Sequence, residues 1–187
     1  MSYKKFEKTV IIPSGVTVKF IDGYYYFSGS KGEIKHKLHK HLSVNLFSDS
    51  LCIFFKGENL RKRELSGILA LINTTCSLFK NYMSGVLEFF SCSLILSGIG
   101  YKAKYDSSVS VLHLTLGFSH PIKIHIPKNI FIELPDTTNI VVKGVSKYEV
   151  GKIALQIREK RMPEIYKGNG IRYKDEIIKL KSPKKSK

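Results

Sequence analysis

The 187-residue chain contains no tryptophan, three cysteines, six prolines and 15 acidic residues set against 31 Lys and Arg. Cys52, Cys76 and Cys92 are an odd number without Cys-x-x-Cys spacing, so they read as reduced, mostly buried thiols and not as a disulfide framework or a zinc site. No apolar run is long. Leu51–Phe55 and Val86–Leu96 both fall short of the roughly 20 residues a membrane span needs. The start, MSYKKFEKTVIIP, lacks the apolar block of a secretory signal and is too short and too acidic at Glu7 for a mitochondrial presequence. Paired carboxylates suited to acid and base catalysis are missing as well. The acidic side chains are scattered beside Lys or Arg, as in surface ion pairs.

What the chain does have is positive charge, and it is concentrated. The net charge is +16. From Lys143 to the C-terminus fourteen Lys and Arg face five Asp and Glu. Such an imbalance steers a protein toward polyanions and says little about fold. Hydrophobic residues make up 43% of the chain, which argues for a folded protein and not a basic disordered tail.

A faint internal repeat organises the chain. IIPSGVTVKF (Ile11–Phe20), Asp22-Gly23 and YYYFSGSKGE (Tyr24–Glu33) are answered by IHIPKNIFIEL (Ile124–Leu134) and IVVKGVSKYE (Ile140–Glu149). Pro13 corresponds to Pro127, and Gly29 to Gly144. Each unit reads strand, turn, strand, glycine, basic turn, with Asp22-Gly23 as a hairpin signal. Val16/Val18/Phe20 and Ile122/Ile124/Ile126 alternate as half-buried strands do. One helix is expected over about Arg63–Ser84, with Leu65, Ile68, Leu69, Ile72, Cys76, Phe79 and Met83 as its apolar stripe and Gly85 as its stop. A second begins at Ser146, where Ser146-x-x-Glu149 has capping-box spacing. Val150, Ile153, Ala154 and Ile157 form its buried face, and Pro163 ends it. Between the helices lies a meander turning at Gly98–Gly100, Asp106–Ser108 and Gly117–Pro121. The expected class is α+β: two tandem similar domains, each a mostly antiparallel sheet covered by one helix, over residues 1–88 and 89–180, then a basic tail at 181–187.

Candidate chemistry is thin. Gly98-Ile99-Gly100 lacks the third glycine and the following helix of a nucleotide fingerprint. Ser119 and His120 are adjacent, and adjacent strand residues point to opposite faces, which makes a poor nucleophile and base. His36, His39 and His41 lie in KHKLHKH, which reads as a basic edge strand with Ile34, Leu38 and Leu42 turned inward. The basic turns carry more weight. Arg61-Lys62-Arg63 precede a helix, where the dipole disfavours cations and an anionic partner would compensate. Beyond the second helix Arg158, Lys160, Arg161, Lys167, Arg172 and Lys174 interleave with Tyr166 and Tyr173. Arginines clamp phosphates, tyrosines pack on sugars or bases, and Gly168 and Gly170 let the backbone come close.

GIGYKA (Gly98–Ala103), LGFSHP (Leu116–Pro121) and the stretch Val142–Tyr173 make the chain resemble ribosomal large-subunit protein L six of the bacterial and organellar type. The order and spacing of the segments agree. The resemblance is specific in the second half, extends more weakly through IIPSGV and SGSKGE, and fades between His39 and Phe90. It implies tandem α+β domains born of duplication, no catalytic activity, no cofactor and no metal. It implies binding to large-subunit rRNA near the stalk base and sarcin-ricin loop, mostly through the second domain. Neighbouring large-subunit proteins are implied partners, with translation factors supported indirectly and neither membrane nor small-molecule substrate involved. By the same resemblance rRNA contact falls on Lys102, His120, Arg161, Tyr166, Lys167, Gly168, Gly170, Arg172 and Tyr173. Met162 and Ile165 stand where the family has prolines, and Asn169 where it has a basic residue.

The alternatives are an extraribosomal basic RNA-binding module, an RNA-processing enzyme using His120 or the histidine cluster, and a membrane-surface or chaperone-like binder. The bias toward Lys, Ile, Phe, Tyr and Ser without Trp fits an AT-rich genome. Together with the missing presequence and the divergent first half, it points to an organelle-encoded mitochondrial protein, with plastid or bacterial cytoplasm as alternatives.

Overall fold

A computed structural model describes residues 7–57 and 62–182, apart from the side chains of 62–65. The chain divides into two compact units, the first ending at Phe89 and the second beginning at Phe90. The class is α+β, and every strand pair is antiparallel.

The first unit contains β1 (Glu7–Ile11), β2 (Thr17–Ile21), β3 (Tyr24–Gly29), β4 (Gly32–Lys37), β5 (Leu42–Leu46), β6 (Ser50–Phe55) and α1 (Lys62–Leu87). Its strands form two three-stranded sheets, in the orders β1-β6-β5 and β2-β3-β4. Helix α1 packs against strands of both. Asp22 and Gly23 both take positive φ, 52° and 80°, as a two-residue hairpin of the type that matches strand twist requires. Strand alternation then sends Tyr25 and Phe27 into the core, where Phe27 meets Phe79 edge-on at 4.9 Å. Phe27 and Phe79 are wholly buried, and burying each contributes about 1.5–3 kcal/mol.

Helix α1 departs from the sequence reading in three ways. It runs to Leu87, past Gly85, which is buried inside it. No left-handed glycine stops it. Instead the turn between β3 and β4 caps it: the Lys31 amide donates to Val86 O at 2.9 Å and Ser30 Oγ to Leu87 O at 3.2 Å. Gly29 makes this approach possible, since a Cβ there would lie 2.6 Å from Val86 O. The basic turn after Gly29 therefore serves helix capping. The stripe is also narrower than expected, because Ile72, Cys76, Phe79 and Met83 are buried but Leu69 is 41% exposed. Of the Arg61-Lys62-Arg63 run, Arg61 and the other two side chains lie outside the described residues.

KHKLHKH is not a single edge strand. β4 ends at Lys37, and a turn in which Leu42 N bonds to His39 O leads into β5. His36 points inward, 3.2 Å from the Tyr82 hydroxyl and edge-on to Phe79, while His39 and His41 stay exposed. Of the cysteines only Cys76 is buried; Cys92 is half-buried against the core of the second unit, and Cys52 is half-buried on the face of β6 opposite Leu51 and Ile53. Burial pushes the Cys76 and Cys92 thiols up, which keeps them protonated and unreactive.

The second unit contains β7 (Phe90–Ser97), β8 (Lys102–Asp106), β9 (Val111–Thr115), β10 (Ile122–His125), β11 (Ile130–Asp136), β12 (Asn139–Gly144), α2 (Lys147–Glu159) and β13 (Gly170–Tyr173). Strands β11-β12-β7-β13 make a four-stranded sheet covered by α2, and β10-β9-β8 a three-stranded one. The amide of Ala103 reaches Thr137 O at 2.7 Å, tying the smaller sheet to the turn between β11 and β12. One core cluster joins both sheets to the helix through Leu94, Leu112, Leu114, Ile140, Ile157 and Ile171. The ladder of β11 slips between Glu133 and Asp136, where Pro135 has no amide to give.

The repeat seen in sequence is the hairpin β2-β3 after Pro13 and the hairpin β11-β12 after Pro127. It ends at the glycines. Gly144 admits the first turn of α2, since a Cβ there would meet Val150 Cγ2 at 3.0 Å and Ile130 Cδ1 at 2.7 Å. The chain then continues as a helix in the second unit and as β4 in the first.

Candidate nucleic-acid interface

The basic strap is built from α2 outward. Ser146 Oγ accepts the Glu149 amide at 3.4 Å, and Val150, Ile153, Ala154 and Ile157 are buried as their spacing requires. The helix closes at Glu159 with Lys160 as its cap, because Pro163 has no amide to offer the Glu159 carbonyl and its ring would crowd that carbonyl. The following loop is tied to itself, Gly168 N to Glu164 O and Glu164 N to Asn169 O, both at 2.9 Å. Gly168 adopts φ 73° to allow this. The strap then crosses its own beginning. A Cβ on Gly170 would lie 2.6 Å from Pro163 Cα and 2.7 Å from Met162 O, so no other residue fits without displacing backbone. Ile171 N bonds to Arg161 O, and β13 joins the edge of β7.

The cations of this region divide into two kinds. Arg158 is neutralised internally. Its guanidinium grips Glu176 with Nε to Oε2 at 3.1 Å and Nη2 to Oε1 at 2.5 Å, and Glu176 Oε2 also accepts the Tyr173 amide. The Arg158 hydrogen bonds hold the Glu176 carboxyl below its ordinary range. The Arg158 guanidinium also sits 5.5 Å from the centre of the Tyr173 ring. Arg161 is a joint: Nη1 donates to Leu116 O at 3.1 Å, and the group lies over Phe118 at 4.8 Å and Tyr101 at 5.7 Å. It fastens the strap to the loop between β9 and β10, leaving its remaining N–H groups for an anion.

The other kind has no ion pair among the described residues. Lys167, Lys174 and Tyr166 are exposed, and Arg172 is half-buried with one long bond to Glu176 O at 3.5 Å. An open groove of about 480 Å³ brings Lys167, Gly168, Arg172, Lys174, Ser97 and Glu176 together. Burial raises the Tyr173 hydroxyl above its ordinary value, so it stays a donor at neutral pH. A smaller groove of about 280 Å³ holds Lys102 and Lys104 of β8 with His113 and Thr115 of β9. His120 is exposed in the loop that Arg161 holds. The nine candidates therefore form two sets, the strap with β13 and the small sheet with its loop, and Arg161 links them.

Ser119 and His120 are closer than strand geometry implied, 3.4 Å from Oγ to Nδ1, because they sit in a turn. Both are exposed, and no carboxylate orients the ring among the described residues. The glycines of Gly98-Ile99-Gly100 make a turn closed by Tyr101 N to Gly98 O at 3.3 Å, and β8 follows, not a helix.

Residues 97–174 match the family model for ribosomal protein L6, a span that contains all nine candidates. A large ribosomal subunit protein uL6 from Halorhodospira halophila is 41% identical over 94% of this chain and 95% of its own length. Homologous uL6 proteins from Pseudomonas putida and Alkalilimnicola ehrlichii are 39% and 40% identical over 94% and 96% of the chain. The chain belongs to the ribosomal protein L6 family. That family is structural and not enzymatic, which removes the RNA-processing reading of Ser119, His120 and the histidine cluster. Sequence reasoning missed the part played by Glu176. It lies 18 residues beyond Arg158 with no helical or strand periodicity to couple them, so only the fold shows the pair.

Proposed function

We propose that the protein is a structural constituent of the large ribosomal subunit and binds large-subunit rRNA through its second unit. The docking place is near the stalk base and sarcin-ricin loop, where it supports the platform used by translation factors. The observation that carries this reading is the strap, pinned at Gly170, Arg161 and Glu176, with Lys167, Arg172 and Lys174 left around one groove. A rigid backbone holding uncommitted cations at fixed separations neutralises phosphates without the cost of ordering itself on binding. The bacterial uL6 relatives, named as large-subunit proteins, support the ribosomal assignment. Neighbouring large-subunit proteins are partners on the same reading. The compositional bias and the divergent first half favour a mitochondrial location, while the matched bacterial relatives favour the bacterial cytoplasm.

Sedimentation of the tagged protein through a high-salt gradient tests it. Wild type comigrates with the large subunit, whereas Lys167→Glu with Arg172→Glu shifts to the top fractions while its melting temperature is retained. Normal incorporation of the double variant would remove the strap from the rRNA interface. Organelle fractionation of the same tagged cells decides the compartment.

A further inference from the structure

The outer face of the β2-β3-β4 sheet carries an arrangement that neither the strap nor the core explains. Strand register places Ile21, Tyr24 and Lys37 in one row, Lys19, Tyr26 and Lys35 in the next, and Thr17, Ser28 and Glu33 in the third. The opposite face of the same strands turns to the core through Tyr25 and Phe27. Tyr24 and Tyr26 therefore lie on the solvent side, half-buried between lysines that are exposed. Two residues apart on one strand, the tyrosines are spaced by roughly 6.6 Å along it. The Lys35 and Lys37 ammonium groups stand 6.0 and 5.9 Å from the Tyr24 ring centre, and Tyr26 has neither a ring partner nor a hydrogen bond among the described residues.

We propose that this face is a second nucleic-acid surface, which takes an unpaired RNA segment by stacking bases on Tyr24 and Tyr26 and pairing phosphates with Lys19, Lys35 and Lys37. The central strand of an exposed sheet needs no aromatic residue for its ladder, and two flat rings framed by cations match the two chemistries of single-stranded RNA, a π-face at each base and a charge at each phosphate. Three lysines oppose one glutamate on the face, so charge favours a polyanion. The Lys–Tyr contacts are of the weak exposed kind, and an incoming base displaces the ammonium toward the adjoining phosphate. This surface goes beyond the strap reading and stands without it.

The test uses the full-length chain carrying Lys167→Glu and Arg172→Glu, so that the strap contributes little. Anisotropy compares a labelled mixed-sequence octaribonucleotide with an abasic octamer of equal charge. The base-containing octamer is expected to bind roughly tenfold or more tightly. Adding Tyr24→Ala and Tyr26→Ala erases that preference, Tyr24→Phe with Tyr26→Phe keeps it, and Lys35→Glu with Lys37→Glu weakens both octamers alike. Equal binding of the two octamers, or a preference that survives the double alanine change in a protein with unchanged circular dichroism, overturns the proposal. So does better competition by polyglutamate than by unlabelled octamer, which would mark a surface for polyanions in general or for an acidic partner. Subunit incorporation judges the strap separately, so either reading can fail alone.

Discussion

Gly170 shows how much a single backbone position decides. Its φ of 149° and its contact with Pro163 and Met162 backbone leave no room for a methyl group. Gly170→Ala is expected to lower stability by about 1–3 kcal/mol and to loosen the strap, read as a drop in melting temperature. Gly151 gives the contrast. It lies exposed in α2, and a methyl group there would have nothing within 4 Å, so Gly151→Ala should raise stability by about 0.5–1 kcal/mol through helix propensity and a less free unfolded chain. A Gly170→Ala protein as stable as wild type would mean that the crossing is soft. The glycine pattern was legible in the sequence as a place of close approach. What approaches was not, because Pro163 reaches Gly170 only after the loop closes on itself.

At the scale of elements, the strap and its C-terminal extension are held by groups that titrate. The Glu176 carboxyl is held below its ordinary value of 4.5, chiefly by hydrogen bonds from Arg158. A depressed carboxyl contributes stability that is full above its unfolded value and is lost as pH falls through the lower folded value. Docking of residues 174–182 should therefore weaken below about pH 4.5, and Glu176→Gln should remove that pH dependence. Hydrogen exchange across β13 and residues beyond it, followed from pH 6 to pH 3, measures this; identical profiles for both proteins would exclude Glu176 as the clasp. In the first unit, burial lowers the His36 pKa from 6.5, and the ring faces Tyr82 and Phe79. The unfolded chain then takes the proton first, so any loss of stability from His36 begins near pH 6.5, well above the range where Glu176 acts. Sequence reading placed α2 and its cap correctly because both depend on local spacing. It ended α1 at Gly85 wrongly, since a cap supplied by Ser30 and Lys31 comes from more than 50 residues away.

At the scale of the whole molecule, each unit has its own buried cluster, and that of the second unit is drawn entirely from its own residues. A fragment of residues 90–182 is expected to fold by itself with a cooperative thermal transition. A fragment that stays unfolded would show that the second core depends on the first unit. If the full chain contacts six to ten phosphates, its affinity for large-subunit rRNA should fall by roughly 10³–10⁵ between 50 and 200 mM salt. A shallow slope would mean that most of the +16 net charge stays solvated.

By itself the sequence determined the class and the chemistry of this protein. Alternating strands, a capped helix and paired hairpins are short-range patterns, and a surplus of lysine and arginine needs no fold to select a polyanion. Tertiary structure decided which cations are available. Arg158 is consumed by Glu176 and Arg161 is turned into a fastening by Leu116 O, Tyr101 and Phe118, while Lys167, Arg172 and Lys174 remain around a groove. It also divided the tyrosines of β3, sending Tyr25 to the core and Tyr24 and Tyr26 to solvent. The reason is the same in both cases: charge and aromaticity belong to a residue, but the partner that uses them up is brought by packing between segments distant in the chain.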